Sequence, residues 1–282
     1  MNRRDFVGSA ALLAGGLTLA GKAAAQAPLP TSFGPQAPPF TQRHGIALIG
    51  GTLIDATGAP PRTGQTVVIE GNRITRIGRI ADVTIPEGAE RIDCEGLTVM
   101  PGMIAANQSM QLNPLYPAPA ADLPFDQIKA RWEDNFSKIP YHAHTYLMQG
   151  LTAIRQTNGP VSRLLPMKKR IDAGELPGPR VMLGGGLFMS ERYFDFYVRS
   201  NQSPPESIEW LRNDFAYKVI RDVERDTAAF EGPDFAFWKL YLNDEVYDGK
   251  NDFSDAELRT LIARGHKLGK KIDCHAGPHN PG

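Results

Sequence analysis

The groups best equipped for chemistry in this sequence lie towards its C-terminal end, each inside a short apolar run. Lys239 interrupts "FAFWKLYL", and His275 stands in "KIDCHAG" with Asp273 two residues before it. An imidazole is a common neutral ligand for a divalent ion such as zinc. A lysine ammonium has no lone pair to give. It becomes a ligand only where a desolvated site favours the neutral amine, which then captures carbon dioxide as an anionic carbamate. Asp273 reads in two ways: it orients a metal ligand from behind, or it neutralises Lys239 as an ammonium in a plain ion pair. Those readings have opposite consequences for function.

Other residues of the same types carry weaker signals. His142 and His144 in "YHAHTYLMQG" have an attractive spacing but fall in a helical stretch, where positions i and i+2 point apart and cannot pinch one ion. His266 lies near a helix C-terminus and suits the dipole there; His279 lies in a Gly-Pro loop. The "GGG" at 184 to 186 has no following Lys or Ser/Thr of a phosphate loop, so it reads as a turn at the end of a strand that allows close backbone approach. The stretch "GGLFMSERYFDFYVRSNQSPPE" reads as a long loop. Its Tyr193, Phe194, Phe196 and Tyr197 either line a pocket for an apolar or ring-bearing group or pack the loop down.

These residues need elements to position them. From Ile46 to about Val99, short apolar runs alternate with Gly, Pro and Asn or Asp turns, and "EGN" joins two of them as a hairpin; this predicts a small β-sandwich-type domain over 45–100. From Gly102 the texture changes. Strand-like runs at 103–107, 151–155, 180–183, 235–242 and 271–275 alternate with helical patterns at 126–149, 161–173, 205–230 and 254–268. That order implies parallel pairing in an α/β fold, either a β/α barrel or a doubly wound sheet. Alternation places Phe235, Phe237, Lys239 and Tyr241 on one strand face, although phase alone does not say whether that face turns inward. Ser254, with Glu257 three residues on and a basic last turn, marks a well-capped helix.

The stretches "ALIGGTLIDATG", "VVIEGNRITRIG", "VMPGMI", "GLTAIRQT", "AGELPGPRVMLGG", "WKLYL" and "KLGKKIDCHAG" follow one another over residues 46 to 277. In that order they resemble the amidohydrolase superfamily, specifically its imidazolonepropionase-like and prolidase-like branch. The resemblance implies a sandwich built from both chain ends and a TIM-like β/α barrel, of which 101–282 supplies strands one to five. It further implies a metal site at the C-terminal ends of the strands. By resemblance, Lys239 is the fourth-strand lysine, often carboxylated, and His275 the fifth-strand histidine; a sixth-strand histidine and the eighth-strand aspartate, the general base, are expected beyond Gly282. The first strand departs from the pattern. Asn107 and Ser109 occupy the places of its two histidines, and Ala105 that of an aspartate. Amide and hydroxyl groups bind zinc far less well than imidazole, so the first metal position reads as degenerate. A single divalent ion, expected to be zinc, held by Lys239, His275 and the sixth-strand histidine would still make a hydroxide and polarise a carbonyl. The resemblance implies a hydrolase of amide or cyclic amide carbon–nitrogen bonds, in non-peptide or dipeptide substrates. The alternatives are an inactive relative that binds a ligand, and a fragment.

The whole-chain properties narrow the partners to a small-molecule substrate. Thirty-one basic residues balance 31 acidic ones in 282, leaving no field to hold a nucleic acid or an anionic membrane. A homo-oligomer is compatible with the sequence. Residues 1–27 have a charged start, an apolar middle too short and Gly-rich for a membrane span, and a small-residue end. Arg3 and Arg4 before Asp5 and Phe6 resemble a twin-arginine export signal, which implies a periplasmic or extracellular destination. Residues 28–44 read as a Pro-rich linker. Cys94 and Cys274 have no paired spacing; a disulfide is open to them, and two buried thiols are the simpler expectation.

Overall fold

Alternating apolar residues build the N-terminal sheet around its first strand. The computed structural model describes residues 45–110, 124–157, 159–200, 206, 210, 217–242 and 252–276. The export signal, the linker and His279 lie outside the described residues. Strand β1 (Ile46–Leu53) pairs antiparallel with β2 (Arg62–Glu70), and β2 continues into β3 (Arg73–Arg79). The expected hairpin turn holds Gly71 at φ +61°, a value that glycine adopts without steric cost. On its other side β1 runs parallel to β4 (Glu90–Asp93) and β5 (Thr98–Val99). Ala47, Val67 and Val68 are buried between these strands and their surroundings. The described residues form one five-stranded sheet here, not the two facing layers that a sandwich requires.

The second sheet is parallel throughout. Strands β6 (Met103–Gln108), β7 (Leu151–Gln156), β8 (Arg180–Ser190), β10 (Phe235–Leu242) and β11 (Lys271–Ala276) lie side by side in chain order, with β9 (Tyr217–Ile220) also paired to β8. Helices α1 (Phe125–Ser137), α2 (Ile139–Met148), α3 (Val161–Asp172), α4 (Glu191–Ser200), α5 (Val223–Thr227) and α6 (Asp255–Lys267) fill the connections. The result is a mixed α/β fold whose curled sheet is a parallel half-barrel. No helix among the described residues is long and apolar enough to cross a membrane.

Three expectations about local structure need correction. The helical stretch at 126–149 is two helices that break at Lys138, because Pro140 in the first turn of α2 lacks the N–H that would continue α1. The stretch at 205–230, where described, is not one helix. Strand β9 ends at Ile220, and α5 starts afresh from Asp222, whose side chain accepts from the Arg225 N–H at 2.8 Å. The third is the long loop beginning at the glycines, where β8 in fact runs on to Ser190 and α4 follows at once. Helix α6, by contrast, has the expected capping box between Ser254 and Glu257.

Packing decides which face of β10 is which. Trp238 and Leu240 are fully buried; Trp238 packs edge-on against Phe188 and donates its indole N–H to the Phe230 carbonyl at 3.0 Å. Gly265 of α6 abuts Trp238 so closely that a Cβ there would lie 3.1 Å from the indole ring. The helices therefore cover the Trp238 face. Phe237, Lys239 and Tyr241 consequently face the concave side of the sheet.

Candidate functional site

Strands β7, β10 and β11, with β8 between the first two, bring charged groups together on that concave side. Lys239 on β10 is in register with Asp273 on β11, and Tyr241 with His275. The Lys239 ammonium lies 3.5 Å from the Asp273 carboxylate, with its side chain only 6% exposed. Asp273 is nearer to a second cation, the Arg155 guanidinium of β7, at 3.2 Å. Arg155 in turn lies over the Phe237 ring, 4.3 Å from its centroid, a contact that attracts a cation to the ring face.

The triple glycine makes room for this arrangement. A Cβ on Gly184 would come within 2.9 Å of the Phe237 ring, so only glycine lets that ring lie flat on β8 beneath Arg155. Gly186, at φ +61°, is the extra residue of a bulge: Trp238 pairs with Gly185, yet Lys239 pairs with Leu187. The glycines thus work in the middle of β8, and the reading of a turn at a strand end is corrected.

His275 stacks on Tyr241, ring centroids 4.8 Å apart and planes within 12°. Loss of water around the imidazole, then the charge of Lys239, pushes its pKa below the ordinary value, partly offset by Asp273. The neutral imidazole that results near neutral pH is the form that can ligate a metal. Lys239, His275 and Asp273 are therefore brought to one place.

The Asn107 amide has a partner outside that group. The Asn107 side-chain oxygen accepts from the Thr157 hydroxyl at 2.7 Å. Beside it Tyr146 donates to the Gln108 side-chain oxygen at 3.1 Å, and burial pushes the Tyr146 phenol up, which keeps its donor proton in place. The Met110 N–H donates to fully buried Gln156 at 3.0 Å, and His142 bonds the Met110 carbonyl at 2.6 Å. His142, set aside as a ligand on helical geometry, ties α2 to the end of β6. The aromatics of "RYFDFY" divide: Tyr193 and Phe194 are buried in a cluster with Leu187, Met189 and Val219, and Phe196 packs against it. Packing is what they do. Tyr197's side chain lies outside the described residues. Cys94 is buried and Cys274 exposed, and both are free thiols, so the expectation of two buried ones holds only for Cys94.

Arg155, Gln156 and Thr157 are the residues that motif reading did not single out. Their signal was present in "AIRQT", a strand that carries a cation on one face and a buried amide on the other. Donor chemistry now permits a test of the metal expectation. Among the described residues no three His, Cys, Asp or Glu side chains converge to hold an ion, and Asn107 is engaged by Thr157. The residues thus do not suit a two-ion site, whereas buried Lys239 and neutral His275 suit one ion, provided the lysine becomes a carbamate.

The chain has solved counterparts. It superposes on molinate hydrolase with a TM-score of 0.65 at 21% identity, covering 82% of this chain and 53% of that one. Phenylurea hydrolase B gives 0.65 at 22%, covering 82% and 55%. Over this part of their length the two hydrolases share the fold of this chain. A Xaa-Pro dipeptidase with bound methionine follows the same pattern, at 0.63 and 19%, covering 82% and 56%. The chain spans just over half the length of these enzymes. No known family's sequence profile matches it, and no curated protein matches it in sequence.

Proposed function

We propose that this chain belongs to a hydrolase of amide-type carbon–nitrogen bonds that works with a single divalent ion, zinc by the chemistry of its donors, at a reduced amidohydrolase site. Lys239, as a carbamate, and His275 would hold the ion, and Asp273 would orient the lysine. When bound, such an ion supplies a nucleophilic hydroxide and polarises the scissile carbonyl. The chain's own residues then have plain tasks: Lys239 is kept from water on the concave face, His275 is held neutral and flat on Tyr241, and Arg155 fixes Asp273. The observation that carries this reading is the convergence of buried Lys239 with neutral His275 at the expected strand positions. Solved relatives named for molinate, phenylurea and Xaa-Pro hydrolysis support the bond class. The twin-arginine pattern at Arg3 and Arg4 supports an exported protein, which cell fractionation would check.

The test is turnover of amide, cyclic amide, urea and dipeptide substrates by full-length protein supplied with zinc and bicarbonate. Hydrolysis that is lost in Lys239→Ala and retained in Asn107→Ala is expected. A second reading has its own observation: the Lys239–Asp273 pair at 3.5 Å is what a metal-free binding module would use in place of an ion. Ligand affinity unchanged by Lys239→Ala, without turnover in either protein, would favour that module.

A further inference from the structure

Beyond packing, Tyr193 makes a contact that leads from the core into the candidate site. It lies buried with Leu187, Met189 and Val219, and its ring meets Tyr241 at 5.2 Å between centroids, tilted by 49°. Tyr241 in turn carries the His275 ring, which lies nearly parallel to it. Register puts this path on one face of the sheet, since Leu187 pairs with Lys239 and Tyr241 with His275. Its start is firmly held. The Tyr193 N–H donates to the Ser190 hydroxyl at 2.9 Å, and the first turn of α4 is tied on both sides, by the Arg221 Nε to Glu191 at 2.8 Å and by Arg192 to Glu257 at 2.7 Å.

The path matters because the last torsion of such a ring is soft. Rotation about the bond that joins ring to Cβ has broad, two-fold preferences, so neither His275 nor Tyr241 fixes its own ring plane. A metal ligand, however, must aim its lone pair to within roughly 10–20°. A parallel ring face supplies that restraint to His275, and the tilted contact with Tyr193 supplies it to Tyr241.

We infer that Tyr193 is a positioning residue for His275, acting through the Tyr241 ring. Core packing at the start of α4 thereby sets the direction of an imidazole two strands away from β8. The consequence for metal affinity rests on the single-ion hydrolase reading. The orientation of the ring does not.

NMR of the histidine ring protons in full-length, metal-free protein tests it, with His275 identified by the signal lost in His275→Gln. Protons held over an aromatic face are shifted upfield, so the His275 signal should lie upfield of an ordinary histidine. Tyr241→Leu should return it to the ordinary position, Tyr193→Met should move it part of the way, and Tyr241→Phe, which keeps the ring face, should leave it in place. The His142 signal, from a ring bonded to the Met110 carbonyl at the other rim, should stay where it is in all three. In protein that takes up zinc, Tyr241→Leu should weaken binding roughly tenfold or more and Tyr193→Met by less, as loss of a group that orients a ligand does. Circular dichroism checks folding, and Tyr193→Leu replaces Tyr193→Met should the latter not fold. A His275 signal that ignores either substitution in folded protein, or a His142 signal that moves equally and so reports general loosening, would overturn the inference. Absence of zinc binding in the wild type would count against the hydrolase and leave the NMR result standing.

Discussion

The two ends of the half-barrel have solved the same spatial problem with opposite chemistry. At the β6–β7 end, Asn107, Gln108 and Met110 are tied by neutral hydrogen bonds to Thr157, Tyr146, Gln156 and His142. Towards the β10–β11 end, Lys239 and Asp273 form a charged group next to His275, reached across β8 by Arg155 of β7. Neutral bonds of this kind need no ion to be complete, and each satisfies a polar group that would otherwise be stranded. The charged end is different. Among the described residues its two cations share one carboxylate, Asp273. A rim completed by neutral bonds and one held by ion pairs thus stand on the same sheet.

Breaking the charged end should have the larger effect. Asp273→Asn leaves Arg155 and Lys239 facing one another without their shared carboxylate, and should cost about 2–3 kcal/mol, below the ~3–5 kcal/mol of a fully buried pair because Arg155 and Asp273 are part-exposed. Urea unfolding reads it directly. Next comes the bulge. Gly186→Ala forces a side chain into a left-handed conformation and against Phe188, so a loss of roughly 1–3 kcal/mol is expected. It should also shift Lys239 out of step with Asp273 and so lower the turnover proposed for this site. At the neutral end, Gln156→Leu strands the buried Met110 N–H and should cost about 1–3 kcal/mol in the same unfolding assay.

The smallest effect is a titration away from both ends. The Arg192 guanidinium, aided by Ser254, holds the Glu257 carboxyl down at about 2, against an ordinary value of 4.5. A depressed carboxylate contributes stability above its unfolded pKa and loses it as pH falls through the folded one. Glu257→Gln should therefore flatten the stability profile between pH 4.5 and about 2 and leave the neutral end of the profile nearly unchanged in shape. Thermal melts across that window measure it.

Much of this was legible in the residues, for reasons that can be named. Strand order followed from period-two runs alternating with helical ones, and the capping box at Ser254 announced α6 because both of its bonds are local. Lys239 could be placed on the right strand but not on a face, since that depends on Trp238 finding Gly265 and Phe188 across the fold. The role of Arg155 was invisible for the same reason. Its partners, Phe237 and Asp273, are more than 80 positions away, and no spacing rule relates them. Glycines 184 to 186 misled because a bulge inside a strand and a turn at its end have the same composition.

The proposed single-ion site rests on Lys239 and His275 and makes no use of Asn107. Metal analysis of full-length protein reconstituted with zinc and isotope-labelled bicarbonate, read together with carbon NMR of the lysine carbamate, tests it most directly. The account predicts a single equivalent of bound metal and a carbamate signal, both lost in Lys239→Ala and both intact in Asn107→Ala. Protein that takes up no metal and shows no carbamate, or metal that persists in Lys239→Ala and vanishes in Asn107→Ala, would contradict it.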